Sequence, residues 1–584
     1  MRWLGWNYNP LGWDELPLGY IGEVAPSFGF LTFITEASTN TFDPAFTIDS
    51  GILNWNLGDA STSVDANVFS HTYAASGNKT VNVYSGTTTG SLAVTQINMS
   101  TDDLVGTLDV SGLTNLGGQF RVDVNSNLSS ILNPISSETF TQYYAYICDL
   151  TGTLDLTGLT GLGGIFQVHS NPNLTSIINP TSSKTFSLYY AQVCDLTGTL
   201  DCSGLTGLGG DFRVYSNINL TSILNPTSAT AFNHYYAQSC NLTGTLDCSG
   251  LTGLGGDFKV NSNDNLTSIL NPVSSQVFTF YYVHSCDLTG TLDLTSLTGF
   301  GGYFYGYSNP NLTSILNPVS SEIFTQYYVN TCDLTGTLDL TSLTGFGGAF
   351  TANSNPNLTQ ILFPTTARTF NTIYCFSCDL TGTLDVSGLT GLGGVFFTHD
   401  NPNLTSILNP TSSEAFAVYL AYTCDLTGVF DVSGLTGLGG NFRVNSNPNL
   451  TSILNPTSSE AFSVYFAYAC DLTGVLDVSG LTNLGGNLQI YNNSNLCDIL
   501  LPTINRQFTT FDMDDCSLSL RAVDDIFAKM NTWYTANAPT AALTIDLGGG
   551  TNMPPTDGAS NADILNLEII FDGASKALTI TINE

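Results

Sequence analysis

From residue 99 to 516, apolar and polar positions recur with a fixed period of 23. One unit reads Phe166-Gln-Val168-His-Ser-Asn171-Pro-Asn-Leu174, and the next reads Phe186-Ser-Leu-Tyr189-Tyr-Ala191-Gln-Val-Cys194-Asp-Leu196. In each, apolar residues alternate with polar or aromatic ones and then give way to Gly, Pro, Asn and Thr. The alternation predicts one short strand per unit, with one face turned inward. The intervening Asn-Pro, Leu-Thr-Gly-Thr-Leu-Asp and Leu-Gly-Gly text predicts turns and short extended pieces rather than helices.

One position marks the period. Cys148, Cys194, Cys240, Cys286, Cys332, Cys378, Cys424, Cys470 and Cys516 stand 46 residues apart, and midway between them run Asn125, Asn171, Asn217, Asn263, Asn309, Asn355, Asn401, Asn447 and Asn493. Eighteen successive units therefore share a position that alternates Asn and Cys. Such self-similarity predicts a solenoid, in which each coil touches only its neighbours. Eighteen coils at a strand spacing of about 4.8 Å make a rod or arc of roughly 85 Å. Just after the strand the chain must turn inward, which leaves backbone groups in the interior. An Asn amide can bond the backbone of its own turn and of its neighbours, and Cys fits the same narrow space as a weak donor.

The Cys units match L-x-x-L-x-L-x-x-N/C-x-L with aromatic or small residues in place of leucines, and so resemble the leucine-rich repeat family. The Asn units depart from it: their last leucine falls three residues after the Asn, and Gly-Gly replaces the first leucine.

The flanks read differently. Residues 27–98 carry alternating patterns such as Thr80-Val-Asn-Val-Tyr84 between Gly/Ser/Asn turns, which predicts a small β-sandwich. There Trp55-Asn-Leu-Gly-Asp59, His71-Thr-Tyr73 and Gly77-Asn-Lys-Thr-Val-Asn-Val83 resemble the PKD domain, an immunoglobulin-like fold, with Leu57 and Ala60 as departures. The resemblance implies that Trp55 and Tyr73 are core and His71 a framework residue. Residues 517–584 break the period. Val523, Ile526, Phe527, Met530 and Trp533 recur at helical spacing and two strand patterns follow, as an α/β unit capping a solenoid end requires. Residues 1–26 hold Trp3, Trp6, Trp13, Tyr8 and Tyr20 among prolines: a strap on the next domain, or an anchor inserted into other proteins of an assembly. The expected fold class is thus all-β dominated: a solenoid with an N-terminal β-sandwich and a small α/β cap.

Charge narrows the function. Twelve Lys or Arg against 47 Asp or Glu give a net charge of -35, which argues against nucleic acid or an anionic membrane surface as partner. No apolar run is long enough to predict a membrane span. The N-terminal segment lacks a continuous apolar stretch and carries Asp14 and Glu15, unlike a signal peptide. Thirteen cysteines suggest disulfides, but ladder cysteines two coils apart sit roughly 9.5 Å from one another, beyond the roughly 7 Å that a bridge tolerates. All are expected to be buried thiols, with Cys375 and Cys378 diverging along an extended strand.

Residues four and two places before each mark are expected to face outward. The first row includes Tyr144, Tyr190, Tyr236, Tyr282, Tyr328 and Tyr374 with Arg213, Lys259, Tyr305 and Arg443; the second includes Tyr215 and Tyr307. This field of Tyr with scattered Arg, His and Asn has the composition of a binding surface for a glycan or a protein, although a Tyr ladder could also serve only to stiffen the sheet. The row Asp155, Asp201, Asp247 and its successors precedes Ser/Thr-Gly turns, where Asp bonds local backbone. Asp512, Asp514 and Asp515 form a denser acidic cluster that could hold a cation or act catalytically. Asn173, Asn219 and Asn265 open formal glycosylation triplets that recur because the unit recurs. No nucleophile triad, phosphate loop or zinc motif occurs, so no enzyme activity and no cofactor are expected. Finally, Leu518-Ser-Leu-Arg-Ala-Val-Asp-Asp-Ile-Phe and Leu543-Thr-Ile-Asp-Leu-Gly-Gly-Gly-Thr-Asn-Met-Pro-Pro resemble the ends of leucine-rich-repeat tail or fibre proteins of tailed phages. That resemblance implies a protein at the virion surface that attaches to the host. The alternatives are a bacterial cell-surface adhesin and a polysaccharide-degrading enzyme using the acidic cluster.

Overall fold

The computed structural model describes residues 31–37, 41–42, 44–48, 53–57, 64–67, 69–72, 77–85, 94–503 and 507–584. The aromatic arm with Trp3, Trp6 and Trp13 lies outside them, as does Tyr73. The chain is a β-solenoid of 23-residue coils. Each coil places one short strand in a long parallel sheet, the front sheet. It runs from Val94–Asn98 through Gly118–Arg121, Phe140–Tyr144 and their successors to Phe508–Asp512. The Asn strands begin at the second glycine of Leu-Gly-Gly. Gly164 has φ +61°, and a Cβ there would meet the Thr141 carbonyl at 2.5 Å, so only glycine fits.

The opposite side is not one sheet. From Thr151 onward it consists of separate two-stranded parallel ribbons, such as Thr151–Asp155 with Asn173–Ile178, one for each double coil, while the first ribbon, Leu104–Asp109 with Asn127–Leu132, belongs to a six-stranded sheet with the N-terminal unit. Between front sheet and ribbons lies one continuous hydrophobic core. The expected alternation holds: Phe166 and Val168 are fully buried, while their neighbours Gln167 and His169 are half-buried on the outer face.

The ladder is built as its chemistry requires. Asn171 is fully buried. Its Nδ2 donates to the carbonyls of Ala145 (2.9 Å) and Val168 (2.7 Å), and its Oδ1 accepts from the Leu150 amide (3.2 Å). Cys194 Sγ donates to the same Val168 carbonyl at 3.4 Å. Every mark thereby ties its coil to the preceding one. The residue before each mark is left-handed, with φ between +49° and +59° from Val124 to Asp515, and several are β-branched: Val124, Ile147, Val193, Thr331 and Thr423. That conformation costs roughly 1–2 kcal/mol for a residue with a Cβ. It brings the next side chain inward, where the ladder bonds hold it.

All thirteen cysteines are free. Two expectations about them are corrected. Cys375 and Cys378 do not diverge: the left-handed turn at Ser377 points both inward, and both are buried. Cys497 is exposed, and Cys240 and Cys470 are half-buried. Cys497 occupies the back-ribbon position that Thr175 holds elsewhere. Its Sγ donates to Gly474 O (3.1 Å) as the Thr175 hydroxyl donates to Gly152 O (3.0 Å).

Both ends of the core are covered. At the first coil, Leu31–Ala37 pairs antiparallel with Gly77–Ser85 and with Leu104–Asp109, and Ala45–Ile48 pairs antiparallel with Val94–Asn98. The N-terminal unit is thus hydrogen-bonded onto the solenoid. Trp55 is fully buried there among Phe42, Phe46 and Phe69, with its Nε1 donating to Ala66 O at 2.7 Å, and His71 is half-buried in a short bridge with Phe42. At the other end, helix α1 (Leu520–Ala536) is N-capped by Ser519 and buries Val523, Ile526, Phe527, Met530 and Trp533, the stripe read from the sequence. Helix α2 (Ala562–Gly573) packs on it, with Tyr534 against Phe571. Leu543–Leu547 and Leu578–Ile582 continue the front sheet in parallel, with the two helices as crossovers. Among the described residues no helix is long and apolar enough to cross a membrane.

Candidate functional site: the front face

Strand pairing converts the spacing rule into continuous rows. Tyr144, Gln167, Tyr190, Arg213, Tyr236, Lys259, Tyr282, Tyr305, Tyr328, Thr351 and Tyr374 succeed one another on adjacent strands. His169, Tyr215, His284 and Tyr307 belong to the second row. A third row, six places before each mark, was not anticipated. It holds Asp211, His234, Asp257, Phe280, Tyr303, Gln326 and Ala349 on consecutive strands.

Most of these side chains are half-buried rather than fully exposed, and Asp211, Ala349 and Thr351 are buried, because neighbours on adjacent strands cover one another's faces. Tyr282 and Tyr305 stack at 4.3 Å and 2°, and Tyr305 stacks on Tyr328 at 5.1 Å and 5°. In the second row His284 stacks on Tyr307 at 4.5 Å and 7°. Further along, Tyr374 lies on Phe397 at 4.7 Å. Strand spacing is slightly larger than the thickness of a ring, so rings in one row stack almost of necessity.

Before this aromatic block lies a charged one. Arg213 sits 4.6 Å from the Tyr190 ring centroid and 5.4 Å from that of Tyr236; Lys259 sits 4.7 Å from Tyr236 and 4.6 Å from Phe280. Each cation also has a carboxylate: Arg213 to Asp211 at 3.1 Å, Lys259 to Asp257 at 3.4 Å. His234 bridges the two acids, 2.8 Å from Asp211 and 3.8 Å from Asp257. Burial pushes the Asp211 carboxyl up, but the bonds from His234 and Tyr190 outweigh it and hold the pKa below the usual range. Burial, joined by the hydrogen bond to Asp211, pushes the Tyr190 phenol up to about 12. The cations of this block are therefore already neutralised and offer no free positive patch.

The remaining predicted residues are scattered. Arg443 lies eight strands beyond Lys259 in the same row, about 38 Å at strand spacing, over the Phe466 ring at 4.8 Å. Tyr144 is near the first coil, 5.1 Å from Arg121. What the fold brings together is Tyr282, Tyr305, Tyr307 and Tyr328, with a shallow depression of about 340 Å³ lined by Tyr305, Tyr307, Tyr328 and Asn330.

The acidic rows behave as turn residues. Asp155 Oδ1 accepts from the Thr157 amide (2.9 Å), and Asp149 Oδ1 accepts from the Asn173 side chain (2.7 Å). At the last coil Asp512 aligns with Asp546, and burial raises its pKa to about 6. Among the described residues no group of His, Cys, Asp or Glu is placed to hold a metal ion. No family model matches the chain, and no curated protein matches it.

Proposed function

We propose that this chain is a non-enzymatic virion protein of the fibre or spike type, displayed at the virion surface. Residues 1–26 join it to other proteins of the assembly, and the front face of the solenoid holds a host-surface glycan or protein. The coils are read as derived leucine-rich repeats and the N-terminal unit as a PKD-like spacer. One observation carries the reading. The inward rows and the ladder hardly change along the solenoid, whereas the three outward rows change from charged to aromatic to small and back. Stiffening alone does not call for that variation, while recognition does. Several copies on one particle would raise a weak affinity through avidity.

The test has two arms. Antibody against the purified chain is expected to label tailed particles in electron micrographs, and excess chain to block their adsorption to host cells. A chain that labels no particle and attaches only to the envelope of the cell that makes it would overturn the reading in favour of an adhesin.

A further inference from the structure

The second outward row is not a continuous stack. Tyr307 lies with one ring face on His284 at 4.5 Å and 7°. On the other side its neighbour in register is Asn330, whose carbonyl accepts from the Ser308 amide at 3.1 Å. An amide side chain is shorter than a phenol, so the outer part of that Tyr307 face stays uncovered. The depression of about 340 Å³ opens at this place, lined by Tyr305, Tyr307, Tyr328 and Asn330. All four are half-buried outward residues. Tyr305 has both faces covered, by Tyr282 and Tyr328, and offers only its edge. It stands 5.8 Å from Tyr307 at a tilt of 53°. The depression thus has one open ring face, that of Tyr307, with Asn330 as its floor.

The floor is held in place. Asn330 Oδ1 accepts from the Thr351 hydroxyl at 2.9 Å, and its Nδ2 donates to Thr331 Oγ1 at 3.3 Å. Each amide atom keeps a second lone pair or N–H for another partner. The Tyr305 hydroxyl is taken by Gln326 Oε1. The Tyr307 and Tyr328 hydroxyls bond no group among the described residues. Burial first, and the Tyr305 phenol second, raise the pKa of both, so both are protonated donors at neutral pH. From Phe280 to Asn353 no position of the three outward rows carries Asp, Glu, Lys or Arg. Burial lowers the His284 pKa, which keeps that ring uncharged at neutral pH.

An open ring face with free hydroxyl and amide groups beside it, and no charge, selects the ligand. An ion would be desolvated here without a counter-charge. An apolar side chain would cover the face but leave the hydroxyls and the amide unpaired. A pyranose offers C–H groups to the negative ring face and hydroxyls to the polar groups around it. The volume is at the low end of the range for small-ligand sites, enough for one sugar residue.

We infer that the depression formed by Tyr305, Tyr307, Tyr328 and Asn330 is a subsite for one residue of a neutral oligosaccharide, its ring lying on the open face of Tyr307. The inference rests on the attachment reading and narrows its ligand.

Asn330→Tyr is the discriminating variant. The same row carries Tyr at Tyr215, Tyr307 and Tyr422, so the coil accommodates it, and a ring there would stack on Tyr307 and cover its open face. Tyr307→Ala removes the face itself and keeps the test decisive should the first variant misfold. The purified full chain is presented with immobilised neutral glucan, mannan, galactan and N-acetylglucosamine oligosaccharides, a sulfated oligosaccharide and an aromatic-rich peptide; binding to host cells is measured alongside. Wild type is expected to bind at least one neutral oligosaccharide. Tyr307→Ala should weaken that binding about tenfold, and Asn330→Tyr should abolish it with the melting temperature kept. Tyr307→Phe, which keeps the ring face and loses one hydroxyl, should stay within about threefold of wild type. Binding of only the sulfated probe or only the peptide, no binding of any probe, or full binding by Tyr307→Ala or by a folded Asn330→Tyr would each overturn the inference. Cell attachment that survives both variants after sugar binding is lost leaves the attachment reading standing and overturns this sugar as its ligand. Wild type that binds sugar as expected but no cell overturns the attachment reading alone.

Discussion

Replacing Asn447 by Leu tests the ladder away from the block of stacked tyrosines. Asn447 is fully buried; its Nδ2 donates to Ala421 O (2.9 Å) and Val444 O (2.7 Å), and its Oδ1 accepts from the Leu426 amide (3.1 Å). Leu makes none of these bonds and fills the space that a water would need. One buried N–H and at least one carbonyl are left without a partner, at about 1–3 kcal/mol each. The left-handed turn at Ser446 also loses what holds it. A loss of about 3–5 kcal/mol is expected. Asn447→Cys should cost less, about 1–2 kcal/mol, because Cys424 and Cys470 on either side already show a thiol bonding the carbonyl of the preceding coil at 3.3 and 3.5 Å. Urea unfolding gives the totals, and hydrogen exchange of peptides spanning residues 421–450 shows whether the Leu426 amide opens first. A Leu variant that unfolds at the wild-type urea concentration with the Leu426 amide still protected would refute the account of the ladder.

Other consequences are open to measurement. Native protein should expose one fast thiol to a disulfide reagent, Cys497, and thirteen after unfolding, since burial pushes ladder thiols such as Cys194 and Cys148 up to about 11 and 12; fewer than thirteen under denaturing, non-reducing conditions would reveal disulfides. Asp512 has its folded pKa raised from 3.8 to about 6, so its contribution is most favourable below pH 3.8 and is lost as pH rises through 6. With half of the side chain in reach of solvent, about 1 kcal/mol is expected. Asp512→Asn should therefore melt higher than wild type at pH 7 and no higher at pH 4, and equal melting at pH 7 would contradict the burial argument. Val193, left-handed and half-exposed, should gain about 1 kcal/mol on replacement by Asn, which tolerates that conformation; a loss would mean that its side chain packs more than its exposure shows.

Much of this was legible in the sequence, and the ladder is the reason. Because Asn and Cys mark the inward turn, the positions before them alternate in and out by strand periodicity alone. Tyr236 and Tyr215 could be assigned to the outer face, and Phe212 to the core, without coordinates. The same arithmetic carried two residues further would have found Asp211, His234 and Asp257. Another legible signal lay in the pairing of Tyr and Asn ten residues apart. The Tyr235 hydroxyl donates to Asn225 Oδ1 at 3.1 Å, and six further coils repeat the bond. Where Ile373 or Phe511 replaces the Tyr, Phe363 or Leu501 replaces the Asn. That a buried hydroxyl and its acceptor come and go together is what the cost of an orphaned polar group requires. What the spacing could not give is where the rings stop. Stacking depends on which side chains of comparable size meet across strands, and that the stack of Tyr282, Tyr305 and Tyr328 ends against Thr351 follows only once the strands are in register. The attachment of the first coil to the N-terminal unit was likewise hidden, because antiparallel pairing between distant strands leaves no local mark.

The most direct test of the central claim, that the front face is the attachment surface, is oxidative footprinting of the full chain free and bound to host cells. Protection confined to Tyr282, Tyr305, Tyr307, Tyr328 and Tyr374, with Leu224, Leu270 and Leu316 on the back ribbons modified at unchanged rates, is the predicted result. Protection of those back-ribbon leucines with the front-face tyrosines unchanged would contradict it.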